Sequence, residues 1–334
     1  MVTGRSGSDT SRGGIIAWLL DDNDPSLRLQ VSRDLLFQPP EVLAAICGDI
    51  GRKGWAFKLM SSRGTDGHWG NGAYNPKWTC THYVLYEMCQ LEVPSGDEQC
   101  AESALILLSY PRGVDGGINY ARTVPYSDVC VNGMILSIAC RFLGVGDGFG
   151  GDAIPALVDY LLSMRMSDGG WNCAYYSGGI RGSLHTTISV LEGLWACITD
   201  SDGLRWAGYR RDEILDAIDG GVEFILRHRL FRSERTGEVI KDDFLKFPFP
   251  VRWKYDVLRC LDLFRRYGVP YDTRMDEALD LVEAARGATG RWKAASQPGK
   301  TFFIVERNGT DGRWNTLRAL RTLGAYREGW RLRG

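Results

Sequence analysis

The chain lacks an excess of charge of either sign. Its 40 Lys and Arg residues nearly balance its 41 Asp and Glu residues, which gives a formal net charge of -1. A chain without a positive surplus has no general field that attracts nucleic acid or an anionic membrane. We therefore expect no nucleic-acid partner, and we expect any anionic ligand to be held by local Arg and Lys side chains.

Long apolar runs are also missing. The longest runs, such as 15–20 and 104–108, are far too short to cross a bilayer. The first residues do not follow the pattern of a secretory signal. These absences predict a cytoplasmic protein without a transmembrane segment, whose nine cysteines are reduced thiols. Such thiols either pack in a core or bind a metal.

The composition is that of a globular protein. Hydrophobic residues make up 44% and charged residues 24% of the 334 residues, which is enough apolar material for a sizeable core. The segment 1–14 is rich in Gly, Ser, Thr and Arg, and it is predicted to be a flexible N-terminal tail. The rest, 15–334, is predicted to form a single domain.

A short turn recurs along the chain, in which Asp-Gly or Thr-Gly precedes an aromatic or β-branched residue. Five clear copies and one degenerate copy occur, at 66–69, 115–118, 168–171, 289–292, 311–314 and, degenerate, 236–239. Most successive copies are about 50 to 70 residues apart, which leaves room for two helices and their loops. The recurrence predicts a repeat of helical hairpins.

The segments between the turns have apolar residues at helical spacing. One helix of each pair is polar along one stripe, over 101–109, 154–164, 212–227 and 276–285. Its partner is apolar on most faces, over 79–89, 128–143, 184–197, 255–267 and 314–323. Helices of the first kind belong on an outer ring and those of the second kind on an inner ring. We therefore predict an all-α fold, namely an α/α toroid of two concentric rings built from about five to six hairpins around a central cavity.

One further helix pair precedes the first turn. Asp24 is the predicted N-cap of a helix that ends before Pro39, and the segment 42–60 is predicted to be its partner helix. This pair would complete the ring.

Candidate ligands gather at the starts of the predicted inner helices. They are Cys80, His82, Asp128, Cys130, His185, Tyr255 and Asp256. A catalytic zinc takes three protein ligands from Cys, His and carboxylates and keeps a fourth position open. Asp128, Cys130 and His185 match that pattern, so the sequence predicts a zinc site there. Cys173 is a candidate fourth ligand, which would close the site.

Each candidate also has a structural interpretation. Cys130 suits a small core residue, and Asp128 suits the N-cap of its helix. His185, which is followed by two threonines, suits a hydrogen-bonded pocket residue. The tryptophans of the turns likewise suit staples that hold the hairpins together.

Two sequence strings resemble the zinc site of protein prenyltransferase β subunits. They are Arg-Thr-Val-Pro-Tyr-Ser-Asp-Val-Cys at 122–130 and Ser-Leu-His-Thr at 183–186. In that family an Asp-x-Cys and a His on successive inner helices hold zinc, and an arginine six residues before the Asp binds the isoprenoid diphosphate. The resemblance implies that Asp128, Cys130 and His185 bind zinc, that Arg122 holds a diphosphate, and that a partner subunit exists. The family's neighbouring lysine is replaced by Pro125 here.

The repeated Gly-Gly and Trp turns also resemble the squalene-cyclase repeat, over roughly residues 60–325. This likeness places the chain beside the terpenoid cyclases. However, the Asp-x-Asp-Asp acid of protonating cyclases and the Asp-Asp-x-x-Asp magnesium motif are both absent from the sequence. Both absences count against a terpene cyclase that acts alone.

The expected function is that of a transferase or cyclase acting on an isoprenoid or other apolar substrate in the central cavity. Zinc would either activate a thiol nucleophile or act as a Lewis acid. The catalytic candidates are Asp128, Cys130, His185, Tyr255 and Asp256. The predicted substrate-binding residues are Arg122, Trp78, His82, Tyr126, Trp171, Tyr175, Trp253 and Trp314. The alternative is a non-catalytic toroid that binds a lipid or a protein partner.

Overall fold

A computed structural model describes residues 7–121, 123–143, 151–199 and 208–330. Within these ranges the chain forms thirteen α-helices and four short 3-10 helices, and its only β-pairing consists of isolated bridges. The predicted all-α class is therefore confirmed. Over the same ranges, every helix is too short or too polar to cross a bilayer.

The helices are α1 Gly7–Leu20, α2 Pro25–Asp34, α3 Pro40–Cys47, α4 Gly54–Met60, α5 Thr81–Gln90, α6 Glu98–Leu108, α7 Val129–Phe142, α8 Ala153–Ser163, α9 Leu184–Thr199, α10 Arg211–Arg227, α11 Val257–Arg266, α12 Asp276–Ala284 and α13 Arg313–Tyr326. The predicted inner helices correspond to α5, α7, α9, α11 and α13, and the predicted outer helices to α6, α8, α10 and α12. Each end lies within three residues of its predicted position. Helix α1 begins inside the segment 1–14 that the sequence predicts to be a tail.

The prediction of a single helix over 42–60 is wrong. Two helices, α3 and α4, occupy this segment. Gly51 lies between them with φ +88°, and Gly54, the first residue of α4, has φ +75°. A right-handed helix cannot continue through such left-handed conformations. The two glycines are the signal for the break.

Asp24 caps α2 as predicted. Its Oδ1 accepts hydrogen bonds from the backbone N–H groups of Ser26 and Leu27. Its Oδ2 accepts from the N–H of Trp55 at 2.7 Å, at the start of α4. One carboxylate therefore caps a helix and fixes where another begins.

Four of the predicted turns share one hydrogen-bond pattern. The N–H of the first residue donates to the carbonyl four residues later, and a glycine N–H donates back to the first carbonyl, in 64–68, 113–117, 166–170 and 287–291. The degenerate copy forms the same turn with one extra residue, over 233–238. The copy at 311–314 is not such a turn, because Gly312 is the N-cap of α13 and Trp314 lies inside that helix. The repeat is thus real at five positions.

A tryptophan staples three of these turns to the preceding helix. Each indole N–H donates to a backbone carbonyl ten residues earlier, in the pairs Trp69 to Leu59, Trp171 to Leu161 and Trp292 to Val282. The backbone N–H of each tryptophan donates to a threonine hydroxyl near the next inner helix, namely Thr81, Thr187 or Thr316. The structural interpretation of these tryptophans is confirmed.

The inner helices contact one another in chain order. Helix α5 packs against α7, α7 against α9, α11 against α13, and α13 against α2. Glu192 on α9 bonds Arg259 on α11, and Gln30 on α2 bonds the carbonyl of Gln90 at the end of α5. Helices α6, α8, α10 and α12 each pack against helices of this series, and one hydrophobic cluster extends from Ile15 to Trp330.

Candidate functional site

Two cysteines from different repeats meet at the first turn of α7. The backbone N–H of Cys130 lies 3.4 Å from Sγ of Cys173, and the Thr186 hydroxyl lies 3.5 Å from the same sulfur. The hydrogen bond from the Cys130 thiol, together with these two donors, lowers the pKa of Cys173 below its ordinary value. The same thiol bond and burial raise the pKa of Cys130. Cys173 therefore ionises to a thiolate more readily than Cys130 does.

Asp128 lies beside this pair. It occupies the N-cap position of α7, but its carboxylate makes no capping hydrogen bond. The side chain is exposed to solvent, yet the surrounding protein desolvates it enough to raise its pKa, against the opposite effect of Lys77. Its charge also raises the pKa of Cys130 and of Tyr74.

A group of aromatic side chains extends from this point across the starts of the inner helices. Trp78, Cys80 and Tyr83 form a cluster separate from the main core, and Tyr74 and Trp253 pack against it. The rings of Trp78 and Tyr83 lie 4.7 Å apart, and the hydroxyls of Tyr74 and Tyr83 lie 3.1 Å apart. We refer to these five side chains as the aromatic wall. Tyr74 and Trp253 are its partly exposed members.

His185 lies at the other end of the aromatic wall. Its ring centroid is 5.1 Å from that of Trp253 and 5.1 Å from that of Phe244. Its Nδ1 accepts a hydrogen bond from the backbone N–H of Tyr255 at 2.8 Å, so the proton of the neutral ring lies on Nε2. Burial, and then nearby positive charges, lower the pKa of His185 to about 4. The imidazole is neutral at pH 7.

The predicted zinc ligands do not fit a metal in this arrangement. A zinc-bound histidine offers a nitrogen lone pair, whereas Nδ1 of His185 is engaged by Tyr255 and Nε2 carries the proton. Cys130 and Cys173 are hydrogen-bonded to each other. Across the described ranges, no three His, Cys, Asp or Glu side chains form a group suited to a metal ion. Zinc therefore stays a prediction of the sequence alone.

Tyr255 and Asp256 serve the start of α11. The Tyr255 hydroxyl is buried and donates to the carbonyl of Leu230 at 2.5 Å. Asp256 is the N-cap, and its Oδ1 accepts from the backbone N–H of Arg259 at 2.8 Å. Burial raises the pKa of Asp256 to about 6. Among the described residues, the buried Oδ2 of Asp256 has no hydrogen-bond partner. The catalytic roles of Tyr255 and Asp256 stay predictions of the sequence.

Three of the predicted substrate-binding residues lie at or behind the aromatic wall. Trp78 and Trp253 belong to it, and His82 is fully buried behind it, against Tyr74 and Tyr83. Within the described part of the chain neither ring nitrogen of His82 has a hydrogen-bond partner, and burial lowers its pKa to about 3. His82 is therefore a neutral component of the packing.

The other predicted substrate-binding residues lie elsewhere. Trp171 is 0% exposed and acts as a staple, and Trp314 is buried and stacks on Phe249 with centroids 4.4 Å apart. Tyr126 stacks on an exposed neighbouring tyrosine, and the Tyr175 hydroxyl donates to Asp115. The prediction for Arg122 falls outside the described residues.

A buried ion pair beside the aromatic wall was not predicted from the sequence. Arg252 Nη2 lies 2.8 Å from Glu87 Oε2, and both side chains are about 95% buried. The guanidinium also lies 5.6 Å from the Trp78 ring centroid. Glu87 is the one acidic residue of α5, and a carboxylate in an otherwise uncharged helix is a signal for a buried partner.

A cavity of about 410 Å³ opens beside this ion pair. Its apolar lining includes Trp78, Phe249, Phe302 and Ile304, and its polar lining includes Arg252 and Glu87. The segment 296–308 forms its outer side, where the carbonyl of Pro298 accepts the indole N–H of Trp78 at 2.8 Å. Trp78 of the aromatic wall therefore lies in the lining of a mostly apolar cavity, beside a buried ion pair.

A scan against protein-family models finds no match to the chain, and a search of curated protein sequences finds none either. The likeness to prenyltransferases and terpenoid cyclases therefore depends on the motifs of the sequence.

Proposed function

We propose that the chain is an α/α toroid that binds an isoprenoid or comparable apolar substrate and acts on it as a prenyltransferase-like or terpenoid cyclase-like enzyme. The order of contacts supports the ring. Helices α5, α7 and α9 touch in sequence, α9 bonds α11 through Glu192 and Arg259, α11 touches α13, and α13 touches α2. The five repeated turns support the same architecture.

The aromatic wall is the observation that carries this proposal. Its Trp78 lines the cavity of about 410 Å³, a size typical of small-molecule sites. Burial and Tyr83 raise the pKa of its Tyr74, and the charges of Cys130 and Asp128 raise it further. Aromatic faces contact apolar chains and stabilise cationic carbon, which is what an isoprenoid substrate requires.

Cys173 is the side chain best suited to act as a nucleophile at this site. Its sulfur receives the Cys130 N–H, the Cys130 thiol and the Thr186 hydroxyl, and donors of this kind stabilise a thiolate. Asp128 lies alongside with a raised pKa, which suits a group that exchanges a proton. No step of the proposal uses zinc.

Binding of farnesol, an isoprenoid alcohol, tests the substrate class. We expect saturable quenching of tryptophan fluorescence, because Trp78 and Trp253 belong to the aromatic wall. Tyr74→Ala should weaken binding about tenfold, since it removes an aromatic contact. Tyr209→Ala is the matched control, because Tyr209 is an exposed tyrosine bonded to Asp159. Absence of saturation, or equal affinities of the two variants, would contradict the proposal.

Release of diphosphate from farnesyl diphosphate tests for catalysis. We expect release by the wild type and by Cys47→Ala, and loss of release in Cys173→Ala. Binding of farnesol without release would favour the non-catalytic toroid. Metal analysis tests the zinc prediction separately: about one zinc per chain, lost in Cys130→Ala, would support it, whereas metal-free active protein would refute it.

A further inference from the structure

A second cavity, of about 340 Å³, lies further along the inner helices. Side chains of α2, α7, α9, α11 and α13 line it, together with Phe249 and Val251. Arg141, near the end of α7, is in its lining and lies thirteen residues after Asp128. That separation corresponds to roughly 20 Å along a helix. The cavity is therefore distinct from the Cys130 and Cys173 pair.

The lining of this cavity carries more positive than negative charge. Seven arginines contribute, namely Arg33, Arg141, Arg259, Arg265, Arg266, Arg318 and Arg321. Four carboxylates contribute, namely Asp34, Glu92, Glu192 and Asp262. When Asp256 behind Arg318 is counted as well, two positive charges remain in excess. The whole chain has a net charge of -1, so positive charge is concentrated at this cavity.

Four of these arginines are hydrogen-bonded to carboxylates, among them Arg33 and Arg265. Arg321 donates to Asp34 at 2.8 Å and to both oxygens of Asp262. Arg259 donates to both oxygens of Glu192. These ion pairs make one side of the cavity rigid and locally neutral.

Arg318 differs from them. It is 3% exposed, and its Nε and Nη2 have no hydrogen-bond acceptor in the part of the chain that the structure describes. The nearest carboxylate oxygens are those of Asp262, 4.0 Å from Nε, and Asp256, 3.8 Å from Nη2. These two nitrogens form an edge with which a guanidinium binds a phosphate or carboxylate through two hydrogen bonds. Arg318 lines the cavity, so this edge is available to an acceptor that binds there.

Arg141 is a second cation, and no carboxylate of the described residues pairs with it. Its Nε and Nη2 both donate to the neutral carbonyl of Val93, at 3.1 and 2.8 Å. Its charge is therefore not cancelled by that contact. Opposite the cations, the cavity has an apolar lining formed by Phe249, Val251, Leu263 and Trp314.

We propose that this cavity binds a small organic phosphate. Arg318 donates to the phosphate through Nε and Nη2, and Arg141 in the cavity lining supplies further positive charge. A phosphate monoester carries about -1.5 to -2 charges at pH 7, which matches the excess of two positive charges. The apolar lining contacts the organic part, because the cavity is larger than inorganic phosphate needs. This proposal does not depend on the isoprenoid function.

Calorimetric titration of the full chain with phenyl phosphate tests the site. At constant ionic strength we expect one molecule to bind per chain. Arg318→Lys, which keeps the charge but loses the two-donor edge, should weaken binding about tenfold, and Arg141→Gln should do likewise. Arg274→Gln is the control, because Arg274 is a surface residue paired with Glu223 and Asp272.

The proposal is overturned if the wild type does not bind phenyl phosphate, or if Arg141→Gln binds it as tightly as Arg274→Gln does. Arg141 is only partly buried, so Arg141→Gln should fold. It therefore tests the proposal even where Arg318→Lys fails to fold. Farnesol quenching separates the two proposals. Arg141→Gln should leave it unchanged, and Tyr74→Ala should leave phenyl phosphate binding unchanged.

Discussion

At the scale of single residues, Glu306 is a carboxylate whose protonation is linked to folding. It is half-buried before α13, where it accepts the backbone N–H of Arg313. Burial raises its pKa from 4.5 to about 7. The folded state therefore binds more protons than the unfolded state between these values. The resulting stabilisation is present below pH 4.5 and is lost as the pH rises through 7.

Glu306→Gln should remove this pH dependence, because glutamine is neutral and still accepts the Arg313 N–H. Between pH 5 and pH 8 the free energy of unfolding of the wild type should fall relative to the variant by about 1 to 2 kcal/mol, allowing for partial exposure. Urea unfolding at four pH values measures the difference. Glu238→Gln, at an exposed turn position, is the control. Parallel profiles of wild type and Glu306→Gln would contradict the prediction.

Residue roles were predictable from the sequence when they depended on the residue's own helix. Asp24 caps α2 because it precedes a proline at the first turn, and both features can be read locally. His185 was predicted to bind metal from its helix position, but its Nδ1 contacts the backbone of Tyr255, seventy residues away. No local pattern encodes that contact. Cys130 and its candidate co-ligand Cys173 lie together as a hydrogen-bonded thiol pair, and zinc binding by them stays a prediction.

At the scale of helices, α7 and α9 approach each other through glycines. A Cβ added to Gly193 would lie 2.4 Å from the backbone oxygen of Gly133, and a Cβ at Gly133 would lie 2.5 Å from that of Ser189. A backbone oxygen cannot move aside as a flexible side chain can. The two helices therefore require small residues at this crossing.

Gly193→Ala should destabilise the protein by about 1 to 3 kcal/mol, because the helices must separate to admit the methyl group. Gly324→Ala is the matched control within α13, where the nearest atom to an added Cβ is 3.4 Å away. There alanine should be neutral or should stabilise the helix by up to about 1 kcal/mol. Thermal and urea unfolding measure both variants. Equal stabilities would contradict the close approach of α7 and α9.

The tryptophan staples fix each turn to the helix before it. Trp171→Phe should cost about 1 to 3 kcal/mol, since it leaves the buried carbonyl of Leu161 without its donor. Trp253→Phe is the control, because no acceptor for the Trp253 indole N–H is found in the described ranges and the ring is partly exposed. Urea unfolding measures the two changes. A similar loss in both variants would mean that ring size, rather than the hydrogen bond, matters.

At the scale of the whole molecule, the sequence predicts the order of the helices but not what occupies their centre. Recurring Gly and Trp residues mark the repeated turns, so the repeat can be recognised from the sequence alone. The inner helices were predicted to be apolar on most faces, whereas α11 and α13 carry the buried Arg259 and Arg318 and the mostly buried Arg321. Each arginine lies near carboxylates on other helices. Pairing between helices that are distant in the sequence leaves no repeating pattern from which it could be predicted.

Arg321 joins three helices, and its removal gives the sharpest test of this charged centre. It bonds Asp262 on α11 and Asp34 and Gln30 on α2, from its own position on α13. Arg321→Met should destabilise the protein by about 3 to 5 kcal/mol, because it leaves buried carboxylates with weakened partners. Hydrogen exchange should speed up in α2 and α11 as well as in α13, since all three lose the same cross-link. Arg274→Met, which breaks surface ion pairs, should cost less than about 1 kcal/mol. Faster exchange confined to α13, or equal stability of the two variants, would show that Arg321 does not couple the first helices of the chain to the last.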